Sequence, residues 1–420
     1  MILAFLLTGM WIFVGLGAAG VVSALLLGID IGWLRFSPYT TSNSFTLTAV
    51  GTFIIMGEFL LRGGVTEIIY SGASVLFQRV RGSLFYANIL AATIFGACSG
   101  SSVASSATIG AISIPQLDKR GYNREIAVGT VAGAGLLGNL IPPSITFIIY
   151  GSLTGESVGR LFMAGVIPGL ILAAIMLVYI AIRLRLRPDY APVDTSTQTG
   201  TQILKSLLRL LPIVALVFIV LGSIYSGFAT PTEAGAIGAL FALVLAGLNR
   251  RLSLKLIKDS AVSATLTTCM IMILIVLSAI PATVLSMLRL SQAVMEWTAS
   301  ANLSPLMILA GVAILYIILG LFIDTTPVMV MTLGTIYPLM MDMGFDGIWL
   351  GLVITLLALI GMITPPVGIC LYTTMAVAPG STLKQVSKGA LPFAIILLLG
   401  VGMLTIWPQL ALWLPSTMFS

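Results

Sequence analysis

The chain carries the same set of chain-breaking residues twice, at an offset of 223 residues. The residues that coincide are Pro115 with Pro338, Gly138 with Gly361, Pro142-Pro143 with Pro365-Pro366 and, after one residue of slippage, Gly165 and Pro168 with Gly389 and Pro392. One doubled proline recurs easily by chance, but a register shared by several segments does not. The sequence therefore predicts two structural repeats that are interrupted at the same places.

The repeats lie in a chain of 420 residues, of which 58% are apolar and 8% are charged. Its long apolar runs exceed what a helix in a soluble core needs, so the chain is predicted to be an all-α polytopic membrane protein. It has room for about eleven or twelve transmembrane helices. The net charge of +6 comes from basic residues clustered in short loops. This is the pattern of cytoplasmic loops, and nucleic acid is not an expected partner.

Residues 93–117 are apolar enough for a bilayer, yet they carry a cluster of hydroxyl side chains around Gly96 and Gly100. A lipid-facing helix gains nothing from these hydroxyls. A re-entrant helical hairpin uses them at its tip, because irregular backbone at membrane depth must be buried in protein or line a cavity. The alternative is a helix–helix contact made of small residues. The offset of 223 places Ser102 on Thr325, so residues 322–340 are predicted to form a second hairpin.

Each predicted hairpin is followed by an apolar segment that contains a doubled proline. The first segment, 126–150, is interrupted at 138–144, and the second, 348–376, is interrupted at 361–368. Proline removes a backbone donor and disrupts the preceding turn, so both segments are expected to be broken helices with free carbonyl groups near mid-membrane. Interrupted helices at matching positions of two repeats are typical of the binding sites of secondary transporters.

The resulting organisation is a first repeat over residues 1–187, a polar linker over 188–204 and a second repeat over 205–420. The basic loops are expected to lie in the cytoplasm, and an inverted second repeat places the acidic loop 341–347 on the other side. Counting apolar segments gives six crossings between the hairpins, whereas inversion requires an odd number. One segment is therefore misread, and we expect the error in 206–248 or 261–288.

The tips and the breaks offer hydroxyl, amide and carbonyl oxygens, which suit a small hard cation such as Na⁺. No cofactor and no metal other than Na⁺ is predicted. The predicted sodium ligands are Ser99, Gly100, Ser102, Gly138, Asn139, Asp324, Thr325, Gly361 and Thr364. Helix N-termini at the tips and after the prolines present N–H groups that suit an anion. Asp324 is the only acid within 93–117 and 322–340. Three roles are open to it: completing a cation site, contacting a polar substrate group, or capping the following helix.

The sequence offers little for catalysis. It has no histidine, and its three cysteines show no metal or disulfide spacing. It contains no phosphate-binding loop, no acidic cluster with metal spacing and no nucleophile constellation. Enzymatic activity and ATP-driven pumping are therefore not expected. Glu58 with Arg62, and Glu233, stand in apolar surroundings near helix ends, where we expect snorkelling or capping groups.

Six blocks of sequence, in order along essentially the whole chain, resemble the large membrane subunit of TRAP (tripartite ATP-independent periplasmic) transporters. The blocks are GEFLLRGG (57–64), ACSGSSVASSATIGAISIPQL (97–117), LIPPSITFIIYGSLTGESVGRLFMAGVIPG (140–169), GSIYSGFATPTEAGAIGALFALVLAG (222–247), GLFIDTTPVMVM (320–331) and ITPPVGICLYTTMAVAPGSTLKQVSKGALPF (363–393). The resemblance implies an elevator-type secondary transporter of the bacterial inner membrane. It also implies Na⁺ symport of an organic acid such as a C4-dicarboxylate or sialic acid.

Two protein partners are implied by the same resemblance. One is a small membrane subunit of four helices, expected here as a separate chain, and the other is a periplasmic binding protein that delivers the substrate. The predicted substrate residues are Ser101, Ser102, Ser144, Asp324 and Thr326. The residues alone leave two alternatives, a stand-alone Na⁺- or H⁺-coupled dicarboxylate or ion transporter and an intramembrane enzyme acting on lipid.

Overall fold

Helices make up nearly all of the described chain, because a chain in lipid must satisfy its backbone hydrogen bonds internally. The computed structural model describes residues 11–192, 200–301 and 303–418. The helices before residue 193 are α1 (Ile12–Leu26), α2 (Ser37–Ser42), α3 (Phe45–Arg62), α4 (Val65–Leu76), α5 (Ser83–Ser99), α6 (Ser102–Lys119), α7 (Arg124–Gly135), α8 (Leu137–Leu140), α9 (Ile145–Thr154) and α10 (Val158–Leu186). The helices after residue 199 are α11 (Gly200–Tyr225), α12 (Pro231–Leu248), α13 (Leu254–Met287), α14 (Leu290–Ser300), α15 (Pro305–Phe322), α16 (Thr325–Asp342), α17 (Gly347–Met362), α18 (Ile369–Val377), α19 (Leu383–Ile406) and α20 (Gln409–Ser416).

Eight helical segments of the described residues are long and apolar enough to cross a membrane. They are Phe45–Arg62, the broken unit Arg124–Thr154, Val158–Leu186, Ile203–Tyr225, Pro231–Leu248, Leu254–Met287, Pro305–Phe322 and Leu383–Ile406. Four further apolar helices are shorter, namely Phe13–Leu26, Val65–Leu76, Ser83–Ser99 and Gly347–Met362. The prediction of an all-α polytopic membrane protein is confirmed. Length and apolarity alone give eight candidate crossings, compared with the eleven or twelve helices expected from the sequence, and one candidate, Pro305–Phe322, belongs to a hairpin.

The offset of 223 residues carries over to the helix boundaries. Adding 223 to the bounds of α6, Ser102–Lys119, gives Thr325–Asp342, which are the bounds of α16. The same offset brings α4 onto α14, α5 onto α15, α7 onto α17, α9 onto α18 and α10 onto α19, each within about one helical turn. The repeat is therefore a property of the fold and not only of the chain-breaking residues.

Each repeat contains a hairpin of two antiparallel helices with a two-residue tip. Helices α5 and α6 meet at Gly100-Ser101, and α15 and α16 meet at Ile323-Asp324. In the second hairpin the hydroxyls of Tyr316 and Thr332 hydrogen bond over 2.5 Å, at equal sequence distances from Asp324. This cross-arm bond fixes the register of the two antiparallel arms.

The incoming arms of the hairpins begin earlier than the sequence predicted. The predicted segments 93–117 and 322–340 cover the outgoing helices but only the end of the incoming ones, which start at Ser83 and Pro305. The segment 305–321, interpreted from the sequence as a separate crossing, is the incoming arm α15. Its apolar composition did not distinguish a hairpin arm from a lipid-spanning helix.

This reassignment corrects the number of crossings. The broken unit α7–α9 and the helices α10, α11, α12 and α13 separate the two hairpins, so the count is five and odd. An inverted repeat requires an odd count. Placing the error in 206–248 or 261–288 was wrong, because these residues form the helices α11, α12 and α13 expected from their apolar composition.

Both predicted broken helices are interrupted at their doubled prolines. In the first repeat α8 ends at Leu140 and α9 begins at Ile145, and in the second α17 ends at Met362 and α18 begins at Ile369. Pro142-Pro143 and Pro365-Pro366 each contain a cis peptide bond. Helix α18 packs against α6, and α9 packs against α16, so each outgoing hairpin arm contacts the broken helix of the other repeat.

Each incoming arm also packs against the break of its own repeat, through glycine. A Cβ atom added to Gly96 would lie 2.4 Å from the Cα of Gly138, and one added to Gly361 would lie 2.7 Å from the Cα of Gly320. No side chain fits at these contacts without displacing backbone. The two close backbone approaches, one per repeat, hold both tips and both breaks at the centre of the molecule.

The remaining long helices lie beside this centre. Helix α3 packs against α12 and α13, and α13 packs in turn against α16. On α3, Glu58 pairs with Arg62 over 2.9 Å and accepts a hydrogen bond from the Ser263 hydroxyl over 2.7 Å. Glu233 forms a capping box with Thr230 at the start of α12, as its position near a helix end predicted.

The predicted linker lies partly outside the described residues, which exclude 193–199. Of the rest of the linker, Pro188–Tyr190 form a short 3₁₀ turn, and 200–204 lie in the first turns of α11. The structure therefore describes only the two ends of the connection between the repeats.

Candidate functional site

A cavity of about 410 Å³ opens where the two hairpin tips meet the two breaks. It is lined by Trp11, Phe13, Gly100, Ser101, Val103, Asn139, Ile145, Thr146, Thr267, Met270, Ile271, Leu274, Asp324, Thr326, Pro327 and Ile369. Most of this wall is apolar, with a small number of polar groups converging from the tips and the first break. A mainly apolar cavity of this size with a few placed polar groups is typical of a small-molecule site.

The two hairpin tips contribute equivalent residues to the cavity. Ser101 is the N-cap of α6, and the offset of 223 places it on Asp324, the N-cap of α16. The Ser101 hydroxyl accepts a hydrogen bond from the Ala104 N–H over 3.3 Å. Oδ1 of Asp324 accepts from the Thr325 N–H over 2.7 Å and from the Thr325 hydroxyl over 3.0 Å. The hairpins thus cap their outgoing helices differently, with a neutral group in one and a carboxylate in the other.

Asn139, at the first break, contacts both hairpins. Its side-chain oxygen accepts from the Ser102 N–H, and its side-chain nitrogen donates to the Thr325 hydroxyl, each over 2.9 Å. Ser102 and Thr325 are themselves equivalent positions of the two tips and are fully buried. One carboxamide therefore fixes the positions of the two tips relative to each other.

The helices that follow the prolines begin without side-chain caps. No side chain caps α9, whose N-cap is Ser144, or α18, whose N-cap is Gly368. Residues of both first turns, Ile145, Thr146 and Ile369, line the cavity. The first N–H groups of a helix lack intrahelical partners and attract negative charge. Two uncapped helix N-termini therefore face the same cavity.

The predicted site residues divide into those that line the cavity and those that lie behind its wall. Gly100, Ser101, Asn139, Asp324 and Thr326 line it. Ser99, Ser102, Gly138, Ser144, Thr325, Gly361 and Thr364 are not among its lining residues.

Several residues behind the wall have structural contacts. The Ser144 hydroxyl donates to the Asn139 carbonyl over 2.6 Å, and the Thr364 hydroxyl donates to the Ile360 carbonyl over 2.6 Å. The Ser144 bond gives the Asn139 carbonyl a donor at the first break, whereas the Ile360 carbonyl also accepts from the Ile363 N–H over 3.3 Å. The Ser102 hydroxyl likewise donates to the Leu136 carbonyl over 3.2 Å. The Ser99 hydroxyl is buried, and the described residues offer it no hydrogen-bond partner.

The structure adds residues that the sequence analysis did not assign to the site. Thr267, Met270 and Leu274 of α13 close one side of the cavity, although nothing distinguishes them from lipid-facing residues in the sequence. Ser105 is fully buried, and its hydroxyl has no partner among the described residues. That hydroxyl and the Ser101 carbonyl oxygen each lie 3.1 Å from the position of a Cβ added to Gly138. Ser105 thus adds an unsatisfied oxygen beside the first break.

A carboxylate–histidine–cysteine metal centre is not a feature of this region. Among the described residues, no three or more His, Cys, Asp or Glu side chains form a group that could hold a metal ion. The oxygens available to a cation are instead hydroxyl, amide and carbonyl oxygens, together with the single carboxylate of Asp324. Such a set suits a weakly held monovalent cation better than a transition metal.

Comparison with known families decides what kind of membrane protein carries this site. Residues 1–410 match the family described as "Tripartite ATP-independent periplasmic transporter, DctM component". The chain belongs to this DctM family. It is therefore the large permease component of a TRAP transporter, and the family resemblance carried by the six sequence blocks is confirmed.

Curated relatives of this DctM component carry names of several transport systems. It is 36% identical over 403 residues to the C4-dicarboxylate TRAP transporter large permease protein DctM of Pseudomonas aeruginosa, covering 96% of this chain and 93% of that protein. It is 30% identical to the sialic acid TRAP transporter large permease protein SiaM of Vibrio cholerae, covering 89% and 87%. It is also 30% identical to the 2,3-diketo-L-gulonate TRAP transporter large permease protein YiaN of Escherichia coli, covering 89% and 88%.

One solved structure is similar to this DctM component in fold. The crystal structure of the Alcanivorax borkumensis YdaH transporter superposes with a TM-score of 0.63 and covers 91% of this chain and 87% of that chain. The two sequences are 14% identical, so this similarity concerns the fold alone.

Proposed function

We propose that this chain is the transport subunit of a bacterial inner-membrane system that imports an organic acid together with Na⁺. The names of its relatives support an organic acid as substrate, since C4-dicarboxylates, sialic acid and 2,3-diketo-L-gulonate all carry carboxylate groups. Two partners complete the system in this proposal, a small four-helix membrane subunit and a periplasmic binding protein that delivers the acid. Membership of a tripartite family supports both.

The observation that carries the proposal is the convergence of both hairpin tips and both uncapped helix N-termini on one cavity. The uncapped first turns of α9 and α18 offer N–H groups to a carboxylate. Asp324 repels a carboxylate but attracts a cation, so an anion and Na⁺ occupy neighbouring parts of the cavity. Each then offsets the charge of the other in a region where an unpaired charge is costly.

Sodium ligands are proposed at both breaks. In the first repeat the proposed ligands are Ser99, Ser102, Asn139 and the backbone at Gly100 and Gly138, together with Ser105, whose hydroxyl lies beside the contact between Gly96 and Gly138. In the second repeat the proposed ligands are Asp324, Thr325, Thr364 and the backbone at Gly361. Ser101, Ser102, Ser144, Asp324 and Thr326 are proposed to act on the substrate. For Ser102 and Ser144 this action is indirect, since both lie behind the cavity wall and position Asn139 and its neighbours.

The charges of equivalent loops support an inverted arrangement in the membrane. Residues 118–125, between α6 and α7, carry three basic residues and two acids, whereas the equivalent residues 341–348 carry Asp342 and Asp346 and no basic residue. Basic loops favour the cytoplasmic side, so the two loops belong on opposite faces of the membrane. Movement of the two hairpins and two broken helices as one body past α3, α12 and α13 is the proposed elevator step.

Uptake by proteoliposomes tests the proposal. Vesicles containing the large and small subunits receive purified binding protein outside, with a C4-dicarboxylate, sialic acid and 2,3-diketo-L-gulonate tried in turn. We expect uptake of one of these acids only under an inward Na⁺ gradient and only with the binding protein. Undiminished uptake under a pure proton gradient contradicts Na⁺ coupling. Full rates without the binding protein favour the stand-alone transporter instead.

A further inference from the structure

A second cavity lies among α4, α11 and the end of α12 and shares no lining residue with the cavity at the hairpin tips. Its volume is about 700 Å³, and it is lined by Gly64, Val65, Glu67, Ile68, Ser71, Leu208, Arg209, Pro212, Ile213, Leu245, Leu248, Asn249, Arg250 and Arg251. Three arginines and one carboxylate make its lining basic. From this cavity we infer a binding site for the phosphate headgroup of an anionic phospholipid.

Two of the three arginines are available to a ligand. Arg251 pairs with Glu67 over 3.1 Å, which neutralises that carboxylate. Among the described residues, no acceptor is bonded to the side chains of Arg209 or Arg250. Two exposed guanidinium groups at one cavity, neither of them paired with a carboxylate of the described chain, suit a phosphodiester, which accepts hydrogen bonds from the planar guanidinium.

The backbone at Arg250 supports a role for its side chain. Helix α12 ends in a Schellman motif, in which the Arg250 N–H bonds the Gly247 carbonyl over 2.9 Å and the Arg251 N–H bonds the Ala246 carbonyl over 3.0 Å. Arg250 occupies the left-handed position of this motif, with φ of 55°, where glycine is favoured. A residue with a side chain is strained by about 1 kcal/mol in this conformation. Glycine would end the helix in the same way without this strain, so the Schellman motif does not explain why arginine stands here.

Two contacts hold the backbone around this cavity in place. The Asn249 side chain donates to the Gly63 carbonyl over 3.1 Å and so holds the end of α12 against the start of α4. A Cβ added to Gly64 would lie 2.4 Å from Nη1 of Arg251, and Gly64 has φ of +74°. Helix α4 therefore begins at the cavity without a side-chain cap, and its first N–H groups add to the positive potential.

The surroundings favour a lipid over free phosphate. Leu208 and Leu248 line the same cavity and are exposed, so an acyl chain leaving the headgroup finds an apolar surface beside it. Helix α12 has 18 residues, about the length of the hydrocarbon core, which places its last turn at headgroup level. Four crossings, the broken unit α7–α9 and the helices α10, α11 and α12, separate the loop before α7 from the basic stretch 249–258, so both lie on the cytoplasmic side in the proposed arrangement. Basic pockets between helices on that side suit anionic headgroups.

The test uses the complex of large and small subunits in detergent, stripped of lipid and titrated with phosphatidylglycerol, phosphatidylcholine or inorganic phosphate. Bound lipid is counted by native mass spectrometry, and the melting temperature is recorded. Arg250→Gly relieves the backbone strain, so we expect an unchanged or higher melting temperature without lipid but weaker phosphatidylglycerol binding. We expect the double variant Arg209→Gln/Arg250→Gly to bind phosphatidylglycerol about thirtyfold more weakly.

Arg289 provides the matched control, because it also has a left-handed backbone, with φ of 53°, at the end of α13. Arg289→Gly should relieve strain in the same way and retain phosphatidylglycerol binding. Equal binding of phosphatidylglycerol by the wild type and the double variant would overturn the inference. The inference would also be overturned if the wild type bound phosphatidylcholine as tightly as phosphatidylglycerol, or if millimolar inorganic phosphate displaced the lipid. It would likewise fail if the double variant lost the small subunit and kept its bound lipid. None of these readouts depends on transport.

Discussion

The carboxamide of Asn139 donates a hydrogen bond to the Thr325 hydroxyl over 2.9 Å and accepts one from the Ser102 N–H over 2.9 Å. The first bond joins the break of one repeat to the hairpin tip of the other, and the second stays within the first repeat. At the equivalent position of the second repeat stands Met362, whose sulfur lies 3.7 Å from the Thr325 hydroxyl oxygen. The centre of the repeat is therefore asymmetric, and a single side chain sets the spacing between the tips.

Asn139→Ala should lower both stability and transport. It leaves the buried Ser102 N–H without its acceptor and removes the bond to Thr325, and an unsatisfied buried group costs about 1–3 kcal/mol. The melting temperature of the purified complex, with uptake measured in parallel, checks this. Asn43 is exposed and serves as control, so Asn43→Ala should leave both quantities unchanged. If Asn139→Ala and Asn43→Ala gave the same melting temperature and the same uptake, the hydrogen bonds of Asn139 would contribute to neither stability nor transport.

Asp324→Asn tests the negative charge of Asp324 separately from its helix-capping hydrogen bond. Asparagine caps helices about as well as aspartate, so the melting temperature should change little, whereas Asp324→Ala should lose about 1 kcal/mol. Without the carboxylate, the proposed cation site loses its only formal charge, and we expect uptake to lose its dependence on Na⁺ or to stop. The Na⁺ concentration for half-maximal uptake is the measurement. A wild-type Na⁺ dependence in Asp324→Asn would limit Asp324 to a structural cap.

Ser101→Ala tests the equivalent tip of the first hairpin. Loss of the N-cap bond to Ala104 should cost about 1 kcal/mol, which is small for a protein of this size. If Ser101 also contacts the substrate, uptake should fall far more than stability does. Ser101→Thr retains a hydroxyl cap and should recover part of the uptake. A fall in uptake that only parallels the fall in melting temperature would assign Ser101 to capping alone.

Two glycines of α15 offer a matched pair for the packing between hairpin and break. A Cβ added to Gly320 would lie 2.6 Å from the Ala358 carbonyl oxygen, whereas one added to Gly311 meets nothing within 4 Å. Gly320→Ala should destabilise the complex by about 1–3 kcal/mol through overpacking. Gly311→Ala should be neutral or stabilising by up to about 1 kcal/mol, because alanine favours helix. Thermal unfolding of both variants checks this, and equal melting temperatures would contradict the close backbone contact.

Much of the site is predictable because chain-breaking residues leave a clear signal. The offset of 223 residues locates both tips in the sequence, and it pairs Ser101 with Asp324 and Ser102 with Thr325. Doubled prolines locate both breaks. These positions are predictable because proline restricts the backbone locally and glycine permits the left-handed conformation that Gly100 adopts, whatever surrounds them.

Other features depend on contacts that a single sequence does not encode. The incoming arm α15 is as apolar as a spanning helix, so its role in a hairpin follows only from the antiparallel bond between Tyr316 and Thr332. The wall formed by Met270 and Leu274 arises from the packing of α13 against α16. Gly361 was predicted from the register of the repeats and Thr364 from its hydroxyl at the second break. They lie behind the cavity because their contacts are with their own helices and with Gly320.

A cryo-electron microscopy map of the complex with Na⁺ and its transported acid tests the central claim most directly. We predict density for the acid in the cavity between the hairpin tips, with its carboxylate within about 3 Å of N–H groups in the first turns of α9 or α18. Ion density should lie beside Asp324 or at the contact between Gly96 and Gly138. Density for the bound acid elsewhere in the complex, with no density in the cavity between Ser101 and Asp324, would contradict the account.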